Sequence, residues 1–432
     1  MLRDKIASKE AKIGIIGLGY VGLPLAVEFA KSGFHVTGID INELKVNDIL
    51  NGKSYIIDVP SSEIKTLVKT KRLTATNSYT VLKDLDSISI CVPTPLSKSR
   101  DPDISFIMAC VQEIAKHLHD QQLIILESTT YPGNTEEAIL PVLEETGLKV
   151  GKSFYLAFSP ERVDPGNPSY GVKNTPKIVG GITKNCGKMA QLLYQQAIDN
   201  VVLVSSTKSA EMVKLLENTF RAVNIGLVNE IALMCDRLGI DTWEIIDAAS
   251  TKPFGFMPFY PGPGLGGHCI PVDPRYLSWK LKTLNYYARF IELADEINGF
   301  MPYFTVTRIN DALNRKRKSI RGSKILILGV AYKANIDDLR ESPALDVIKI
   351  LEEKGAKLFY NDPRINCITV KNHVYESKSI TQGLLEQMDC VVITTGHDTY
   401  DYSFILEHAP VVVDTRNATK NVRKNRKKIV RI

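Results

Sequence analysis

The sequence predicts an α/β protein in which two doubly wound domains are joined by a central all-helical region. Short β-branched runs first alternate with helical patterns, apolar residues then recur at helical spacing, and a second strand–turn–helix–strand unit follows. A chain of 432 residues exceeds what one hydrophobic core usually fills. We therefore expect three domains.

The first predicted domain covers residues 1–203. Strands that alternate with helical patterns indicate parallel strands joined by crossover helices, which is a Rossmann-like arrangement. The predicted elements are the strand Lys12–Ile16, the helix Val21–Lys31, and the strands His35–Asp40, Ser87–Val92, Leu123–Glu127, Phe154–Phe158 and Lys177–Val179.

The second predicted domain covers residues 204–316 and is helical. One long helix is predicted over Ser209–Leu238, because its apolar residues keep helical spacing and nothing breaks the pattern before Gly239. Asp241 and Glu244 have the spacing of a capping box. Two further helical stretches are predicted at Trp243–Ala249 and Asn285–Asn314.

The third predicted domain covers residues 317–432 and repeats the unit that opens the chain. In both units an acidic residue ends the second strand, Asp40 in the first and Asp362 in the second. A second Rossmann-like domain is therefore expected. Its predicted elements are the strand Lys324–Gly329, the helix Ala344–Lys354, and the strands Ala356–Asp362, Cys390–Thr395 and Val411–Asp414.

The positive charge of the chain is concentrated at one end. Lys420–Arg431 holds seven basic residues and no acidic one, while the net charge of the whole chain is +6, so the remainder is nearly neutral. Such a tail is typical of a solvated terminus. Neither it nor the basic run Arg315–Arg321 is interleaved with the aromatic residues of a nucleic-acid platform, so no nucleic-acid partner is expected.

Composition also argues against a membrane or secreted protein. No run of about twenty apolar residues occurs, and Met1–Lys12 lacks the apolar core of a secretory signal. The seven cysteines form no Cys-x-x-Cys pair, and no His-x-x-x-His spacing occurs. We expect neither disulfides nor a metal site, and free thiols favour the reducing cytoplasm.

A glycine triplet lies where the first strand meets the first helix. In the stretch Gly17–Gly22, Gly17 permits a tight turn, Gly19 lets the backbone approach a pyrophosphate, and Gly22 lets helix and strand pack closely. Asp40 ends the next strand, where a carboxylate accepts hydrogen bonds from ribose hydroxyls and repels a 2′-phosphate. The sequence therefore predicts NAD rather than NADP as the cofactor.

The corresponding loop of the third domain is different. The stretch Gly329–Lys333 lacks the glycine triplet, so a second dinucleotide site is not expected. Lys333 and Arg340 have the charge to meet phosphate or ribose groups of another nucleotide. Their spacing equally fits a solvated surface.

The segment Pro261–Pro274 is the most informative in the chain. Four glycines and several prolines make a shaped loop before Cys269, whose thiolate chemistry includes attack on an aldehyde and a later thioester. An inert buried thiol is the alternative. Asp273 is placed to handle a proton or to cap the helix that Pro274 begins, and we expect His268 to be structural because nothing specifies a partner for it.

Lys214 and Asn218 lie four residues apart on the predicted long helix and therefore share a face. A cation beside an amide can hold a developing oxyanion. Without further context the same pair fits a solvated helix face.

Taken together, these motifs resemble the UDP-glucose/GDP-mannose dehydrogenase family over essentially the whole chain. Each motif alone is weak, but their shared order is specific. The resemblance rests on Gly17–Gly22 with Asp40, Val92–Pro95, Glu127–Thr129, Ser159–Glu161, Lys214–Asn218 with Asn229 and Glu230, Gly266–Asp273, and Lys333 with Asp338–Ser342.

The resemblance implies a four-electron oxidation of a nucleotide sugar with two NAD, and a homodimer formed through the long helix. By position it implies Cys269 as the nucleophile, Lys214 and Asn218 as the oxyanion-stabilising pair, Asp273 as an aid to proton transfer and hydrolysis, Glu161 as the general base, and Thr129 as the water-holding hydroxyl. The implied cofactor contacts are Gly17, Gly19, Tyr20, Val21, Gly22, Asp40, Lys45, Thr94, Thr129 and Arg340. The implied substrate contacts are Glu161, Arg162, Lys214, Asn218, Tyr260, Gly264, Gly266, Lys333 and Arg416.

Departures from the UDP-glucose pattern point to a subgroup. A second glutamate of that pattern is replaced here by Pro165, and no arginine occurs between Arg237 and Arg275. The stretches Ser159–Asn167, Pro253–Tyr260 and Gly267–Cys269 look instead like the subgroup that acts on UDP-N-acetylhexosamines. We expect UDP-GlcNAc as the substrate, with UDP-ManNAc and then UDP-glucose as alternatives.

Two other classes of protein share part of this sequence pattern. A two-electron dehydrogenase of the 6-phosphogluconate or β-hydroxyacid type shares a Rossmann domain followed by helices, but it needs neither a cysteine loop nor the segment Lys324–Ile432. An NAD-sensing or scaffolding protein would keep the fold without the chemistry. That class would have no use for Cys269, Lys214 and Asp273.

Overall fold

The computed structural model describes residues 1–56, 58–97, 101–164, 167, 169–267 and 269–432. The chain divides into two compact units. The first comprises Met1–Glu217 with Arg275–Tyr286, and the second comprises Asn218–Pro274 with Tyr287–Ile432. Within the described ranges no helix is both long and apolar enough to cross a bilayer.

Strands and helices alternate in both units. The strands are β1 (Lys12–Ile16), β2 (His35–Ile39), β3 (Leu73–Thr76), β4 (Ser87–Ile90), β5 (Leu123–Leu126), β6 (Tyr155–Phe158), β7 (Lys177–Gly181), β8 (Val201–Val204), β9 (Lys324–Leu328), β10 (Lys357–Asn361), β11 (Cys367–Val370), β12 (His373–Glu376), β13 (Cys390–Ile393), β14 (Val412–Asp414) and β15 (Ile429–Arg431). The helices are α1 (Leu2–Ala7), α2 (Gly22–Lys31), α3 (Glu43–Leu50), α4 (Ser61–Lys69), α5 (Ser105–His117), α6 (Leu140–Glu144), α7 (Lys184–Tyr194), α8 (Thr207–Leu238), α9 (Thr242–Ser250), α10 (Asp273–Lys282), α11 (Arg289–Asn314), α12 (Pro343–Glu353), α13 (Gln382–Glu386) and α14 (Tyr402–His408).

The first unit is built on one sheet with the strand order β3-β2-β1-β4-β5-β6-β7-β8. Apolar clusters cover both faces of this sheet, one around Ile13, Leu25 and Phe29 and the other around Ile88 and Ile124. Strands buried on both faces read as continuous β-branched runs, which explains the sequence pattern. The order reverses between β1 and β4, where a doubly wound sheet binds its ligand.

The second unit contains α9, α11 and a smaller parallel sheet with the order β10-β9-β13-β14-β15. Its order reverses between β9 and β13. The helix α12 and the end of α11 cover one face through Val306, Ile309 and Val347, and a separate cluster around Leu326 and Val391 covers the other.

The predicted fold class is confirmed, and most predicted elements agree with the structure within two residues. The cap at Asp241 is also confirmed, because its carboxylate accepts the backbone N–H groups of Trp243 and Glu244. The third helical stretch was predicted too long. It begins at Arg289 rather than Asn285, because Asn285 has a φ of 56° that interrupts helical geometry.

The expectation of a solvated basic tail is wrong for the last residues of the chain. Ile429–Arg431 forms β15, which pairs parallel with β14, and Ile432 packs in a buried cluster with Met301 and Phe304. Lys428 is also held, since its Nζ donates to the carbonyl oxygens of Leu406 and Glu407 at 3.0 and 2.8 Å. The alternation of apolar residues here outweighs the local charge.

Strand direction departs from the prediction at one place. All neighbouring strands of the first sheet are parallel except β6 and β7, which pair antiparallel with Ala157 opposite Gly181 and Phe158 opposite Gly180. Because this pair is antiparallel, the beginning of β7 lies at the carboxyl end of β6.

Candidate active site

The glycine loop after β1 has two glycines that the protein's own packing requires. A methyl group added at Gly17, whose φ is 90°, would lie 2.5 Å from the carbonyl oxygen of Cys91. One added at Gly22 would lie 1.9 Å from the carbonyl oxygen of Gly17. At Gly19, in contrast, no described atom lies within 4 Å of that position. The open side at Gly19 fits the close approach of an NAD pyrophosphate.

Asp40 follows β2 beside this loop and is buried. Its carboxylate accepts the N–H groups of Leu18 and Asn42, each at 2.9 Å, and Lys45 Nζ lies 3.2 Å from Oδ2. Tyr20 lies on the loop and is half exposed, with Val21 next to it at the start of α2. These residues suit NAD, since Asp40 presents negative charge where NADP would carry a phosphate.

Thr94 and Thr129 follow the neighbouring strands β4 and β5. Ser128 Oγ joins these two strand ends by donating to the carbonyl oxygen of Val92 at 2.8 Å. Thr94 is buried, and its carbonyl oxygen accepts the Tyr276 hydroxyl at 2.9 Å. Both threonines therefore lie at the carboxyl edge of the sheet, the edge at which Gly17 and Asp40 also lie.

Glu161 and Lys214 come together within the first unit. Lys214 is buried on α8, and its Nζ donates to the carbonyl oxygen of Glu161 at 2.5 Å. The Glu161 side chain is 13% exposed. Burial alone would raise the pKa of this carboxyl, but Lys177, the backbone N–H groups of Val163 and Arg162, and Lys214 together lower the pKa below its usual range.

Asn218 and Asp273 come together within the second unit, and both are buried. Asn218 Nδ2 donates to Asp273 Oδ2 at 2.5 Å, and Arg221 donates to the amide oxygen of Asn218. The carbonyl oxygen of Cys269 accepts the N–H groups of Val272 and Asp273 at 3.1 and 2.8 Å. This turn links Cys269, which is half-buried, to Asp273, which begins α10.

The loop that carries Cys269 rests on the loop between β9 and α12. Gly267 N–H donates to the carbonyl oxygen of Arg340 at 3.1 Å. A methyl group added at Gly267, whose φ is 93°, would lie 2.9 Å from the Tyr332 ring, and one at Gly266 would lie 2.8 Å from Tyr332 Cβ. Gly264 approaches Pro343 in the same way. Its glycines therefore let the cysteine loop lie directly on the C-terminal domain.

Two cations border this loop. Arg340 forms a two-pronged ion pair with Asp338 at 2.6 to 3.0 Å. That hydrogen bond raises the pKa of Arg340, and the Cys269 thiol contributes in the same direction. Arg416 donates to the carbonyl oxygen of Thr394 at 3.0 Å and packs on Gly262, and burial lowers its pKa to about 10.

Three predicted substrate contacts have other surroundings. Arg162 forms a two-pronged ion pair with Glu217 at 2.6 and 3.2 Å and also donates to the Pro176 carbonyl oxygen at 2.6 Å. Tyr260 stacks on Trp243 at 5.6 Å between ring centroids. Lys333 is half-buried in the loop after β9. Their contacts with substrate remain predictions, and His268 lies outside the described residues.

Sequence reasoning did not single out a buried amide relay behind the cysteine loop. Asn298 donates to the carbonyl oxygen of Ala222 at 3.1 Å, Asn229 donates to Asn298 at 2.8 Å, and Gly262 N–H donates to Asn229 at 3.0 Å. The relay fixes the start of the loop against α8 and α11. The sequence analysis named Asn229 as part of a family motif but not its partners, and the signal for Asn298 was a polar residue among the apolar positions of a helical stretch.

The first sheet, with an NAD-type glycine loop at its switch point, is typical of NAD-dependent oxidoreductases. The UDP-glucose/GDP-mannose dehydrogenase family matches the chain in three parts: its NAD binding domain at residues 11–198, its central domain at 208–299 and its UDP binding domain at 326–421. The chain belongs to this family and is an NAD-dependent nucleotide-sugar dehydrogenase.

Relatives with two different names match most of the chain. The UDP-N-acetyl-D-mannosamine dehydrogenase of Methanococcus maripaludis is 37% identical over 90% of this chain and 87% of its own length. The UDP-N-acetyl-D-glucosamine 6-dehydrogenase of Pseudomonas aeruginosa is 36% identical over 91% and 92%. Among solved structures, the UDP-D-ManNAc dehydrogenase of Pyrococcus horikoshii has a TM-score of 0.88 at 33% identity and covers 97% of this chain and 98% of that one.

Replacing Gly19 by alanine tests the cofactor loop. The added methyl group meets no described atom of the protein, so we expect an unchanged melting temperature without NAD. It occupies space that a pyrophosphate needs, so NAD affinity should fall about tenfold, or ~1.4 kcal/mol, in a calorimetric titration. Gly22→Ala should instead destabilise the protein itself. Wild-type NAD affinity in Gly19→Ala would contradict the assignment.

Replacing Gly267 by alanine tests the contact between the cysteine loop and Tyr332. A side chain at this position is strained, because the φ of 93° is one that residues other than glycine rarely adopt, and it clashes with the Tyr332 ring. The loop must therefore shift. We expect kcat to fall about a hundredfold while NAD affinity stays unchanged. Gly299→Ala is the matched control, because Gly299 lies on α11 and a methyl group added there meets no described atom within 4 Å outside its own stretch of helix. Equal kcat values in the two variants would show that turnover does not depend on the contact between the cysteine loop and Tyr332.

Proposed function

We propose that the protein oxidises the C6 hydroxymethyl group of a UDP-N-acetylhexosamine to the carboxylate through a covalent intermediate on Cys269. UDP-GlcNAc is our first choice and UDP-ManNAc the alternative, since relatives with both names match to the same extent. UDP-glucose remains the third candidate. The observation that carries the proposal is the half-buried Cys269, held in a glycine-rich loop beside Asp273 and Asn218.

The first stage converts the alcohol to an aldehyde. Bound NAD supplies the chemistry of hydride acceptance, once for each of two oxidations. The alcohol loses a hydride and a proton, and the charge that develops on its oxygen needs donors. Lys214 and Asn218 lie on successive turns of α8 and supply an ammonium and an amide N–H for that purpose.

The second stage is covalent. The Cys269 thiolate adds to the aldehyde carbon and breaks the C=O π bond, and the former aldehyde oxygen takes up a proton to give a thiohemiacetal. Loss of this proton and of the remaining C6 hydride gives a thioester on Cys269. Asp273 lies four residues from the nucleophile and accepts a hydrogen bond from Asn218, so it is placed to accept or return these protons.

The third stage releases the acid. Glu161 removes a proton from water, which Thr129 helps to hold, and the resulting hydroxide attacks the thioester and expels the Cys269 thiolate. In total, the alcohol, two NAD and one water give the carboxylate, two NADH and three protons. Because the thiol must be reduced to act, we propose that the enzyme works in the cytoplasm, and all seven cysteines are free thiols in the structure.

We also propose a homodimer formed through the long helix. Phe220, Leu227, Met234 and Leu238 on α8 are between 46 and 71% exposed. Large apolar side chains repeated along one helix are costly to leave in water and suit a second copy of the same helix.

Replacing Cys269 by alanine should abolish uronic acid formation, because no thioester can form. The measurement is chromatographic detection of the product together with NADH absorbance. Cys367→Ala is the matched control, since Cys367 is an exposed thiol of the C-terminal domain, and it should keep full activity. Uronic acid formed by Cys269→Ala at the wild-type rate would rule out covalent catalysis.

Assay of the wild type against UDP-GlcNAc, UDP-ManNAc, UDP-glucose and UDP-galactose extends the same test. We expect two NADH for each sugar consumed, with UDP-GlcNAc the best substrate. One NADH per sugar would favour the two-electron class. Intact NAD binding with no turnover of any sugar, GDP-sugars included, would favour a protein without catalytic function.

Replacing Leu227 by glutamate should convert the dimer to a monomer in sedimentation experiments, because it places a charge on the apolar face of α8. Val374→Glu is the matched control, since Val374 is also well exposed but lies on β12. A monomeric wild type, or a dimeric Leu227→Glu variant, would contradict the proposed interface.

A further inference from the structure

Lys177 is a buried cation that the three stages above do not use. Its side chain is 5% exposed, and its Nζ lies 2.5 Å from Glu127 Oε2 and 3.5 Å from Glu161 Oε2. A buried ammonium is strongly unfavourable unless it is paired. Two carboxylates around one cation satisfy that requirement and place Lys177 in direct contact with the proposed general base.

The unexpected antiparallel strand explains how Lys177 reaches this position. The register pairs Phe158 with Gly180, and the same register carried three residues further brings Glu161 opposite Lys177. Ser159 Oγ holds the connection by donating to the carbonyl oxygen of Ile178 at 2.8 Å. A parallel β7 would begin at the other edge of the sheet, away from Glu161.

Glu127 serves as the fixed counter-ion of Lys177. One of its carboxylate oxygens accepts the hydroxyl of Tyr194, and the other accepts Lys177 Nζ. Tyr194 is fully buried, and its ring centroid lies 5.4 Å from Lys177 Nζ. Each oxygen of the fully buried Glu127 therefore has a partner within the protein, Tyr194 for one and Lys177 for the other.

Glu161 is held differently at its two oxygens. Oε1 accepts the N–H groups of Arg162 and Val163 at 2.7 and 2.6 Å. Oε2 is buried and has no hydrogen-bond partner among the described residues, although Lys177 lies 3.5 Å from it. Thus one oxygen is anchored to the backbone while the other retains its capacity to accept a proton from water.

The pKa values of the two carboxyl groups are shifted in opposite senses. Lys177 and Lys214 lower the pKa of Glu161, whereas burial and the charge of Glu161 raise the pKa of Glu127. Cys91 is also buried in this array, and burial raises the pKa of its thiol well above the usual value, so that it stays neutral. Tyr194 stays neutral for the same reason.

We propose that Lys177 is a positioning residue for the hydrolysis stage, which holds Glu161 ionised with Oε2 directed at the attacking water while Glu127 and Tyr194 hold Lys177. This inference rests on the proposed function of Glu161 and goes beyond it, because it assigns a role to the three buried residues behind the base. Lys177 itself touches neither water nor sugar in this role.

The test is the pH dependence of kcat for the full-length Lys177→Met variant, with the UDP-N-acetylhexosamine that the wild type oxidises. Loss of the cation raises the pKa of Glu161, so the acid limb of the profile should move up by about one pH unit or more. Below that limb, acylated Cys269 should accumulate, visible as a burst of two NADH per site and as added mass on the protein. An unmoved limb would overturn the inference.

Two further variants separate this role from a merely structural one. Lys177→Arg keeps the charge and should bring the limb back toward the wild-type position, whereas a packing role predicts that the bulkier arginine does no better than methionine. Glu127→Gln keeps the cation but removes the carboxylate that competes for it, so Lys177 pairs with Glu161 alone and the limb should stay at or below the wild-type position. This variant tests the inference even if Lys177→Met does not fold, because an upward shift would contradict it.

Glu161→Gln distinguishes the inference from the proposal on which it rests. If that variant hydrolyses the thioester at the wild-type rate, Glu161 is not the base and the proposed function of this residue is wrong. If it accumulates acylated Cys269 while Lys177→Met keeps the wild-type limb, the base assignment stands and only the role of Lys177 fails.

Discussion

The cysteine loop can lie on the ring of Tyr332 only because its backbone carries no side chains at the contact. Gly266 and Gly267 approach the tyrosine, Gly264 approaches Pro343, and Gly267 N–H donates a hydrogen bond to the carbonyl oxygen of Arg340. Both partners of this contact are loops, which have little rigidity of their own. Each loop supports the other, and Cys269 gains a defined position although it lies on neither a helix nor a strand.

In the rest of the candidate site, loops are likewise held in place by contacts with other parts of the fold. Regular elements carry the residues that must not move, such as Lys214 and Asn218 on α8, while short turns after strands carry Glu161 and Asp40. Buried polar groups then fix each turn to an element. The relay from Asn298 through Asn229 to Gly262 is one case, and Lys177 with Glu161 is another. Unmet polar groups in a core are costly, so such networks have one preferred arrangement.

Features encoded within a few neighbouring residues could be predicted from the sequence. The glycine loop with Asp40, the long helix and the Asp241 cap each depend on local spacing, and the structure has all three. Features that depend on distant partners could not. The spacing of Arg162 gives no hint of Glu217, fifty-five residues away, and the antiparallel turn that places Lys177 beside Glu161 depends on the course of a long connection. The strand in the basic tail was missed because charge masked a short apolar alternation.

The two Rossmann-like sheets differ in how the acidic residue after their second strand is used, Asp40 in the first and Asp362 in the second. At Asp40, three acceptor positions are used, one of them by the partly exposed Lys45. At Asp362 the carboxylate accepts the N–H groups of Val330, Ala331 and Arg364 and the side chain of His397. His397 donates there through Nε2, because its Nδ1 accepts Asn335 N–H.

Three of these four contacts fall on Oδ2 of Asp362, and its side chain is fully buried, so a ribose hydroxyl cannot reach it. Asp40 is 8% exposed, and its Oδ1 accepts the N–H of Asn42 alone among the described residues, which leaves it a position for a hydroxyl. The acidic residue that ends the second strand is thus present in both domains, but only in the first can it recognise a dinucleotide. In the second it has become part of the scaffold that holds the loop after β9, and with it the tyrosine on which the cysteine loop rests.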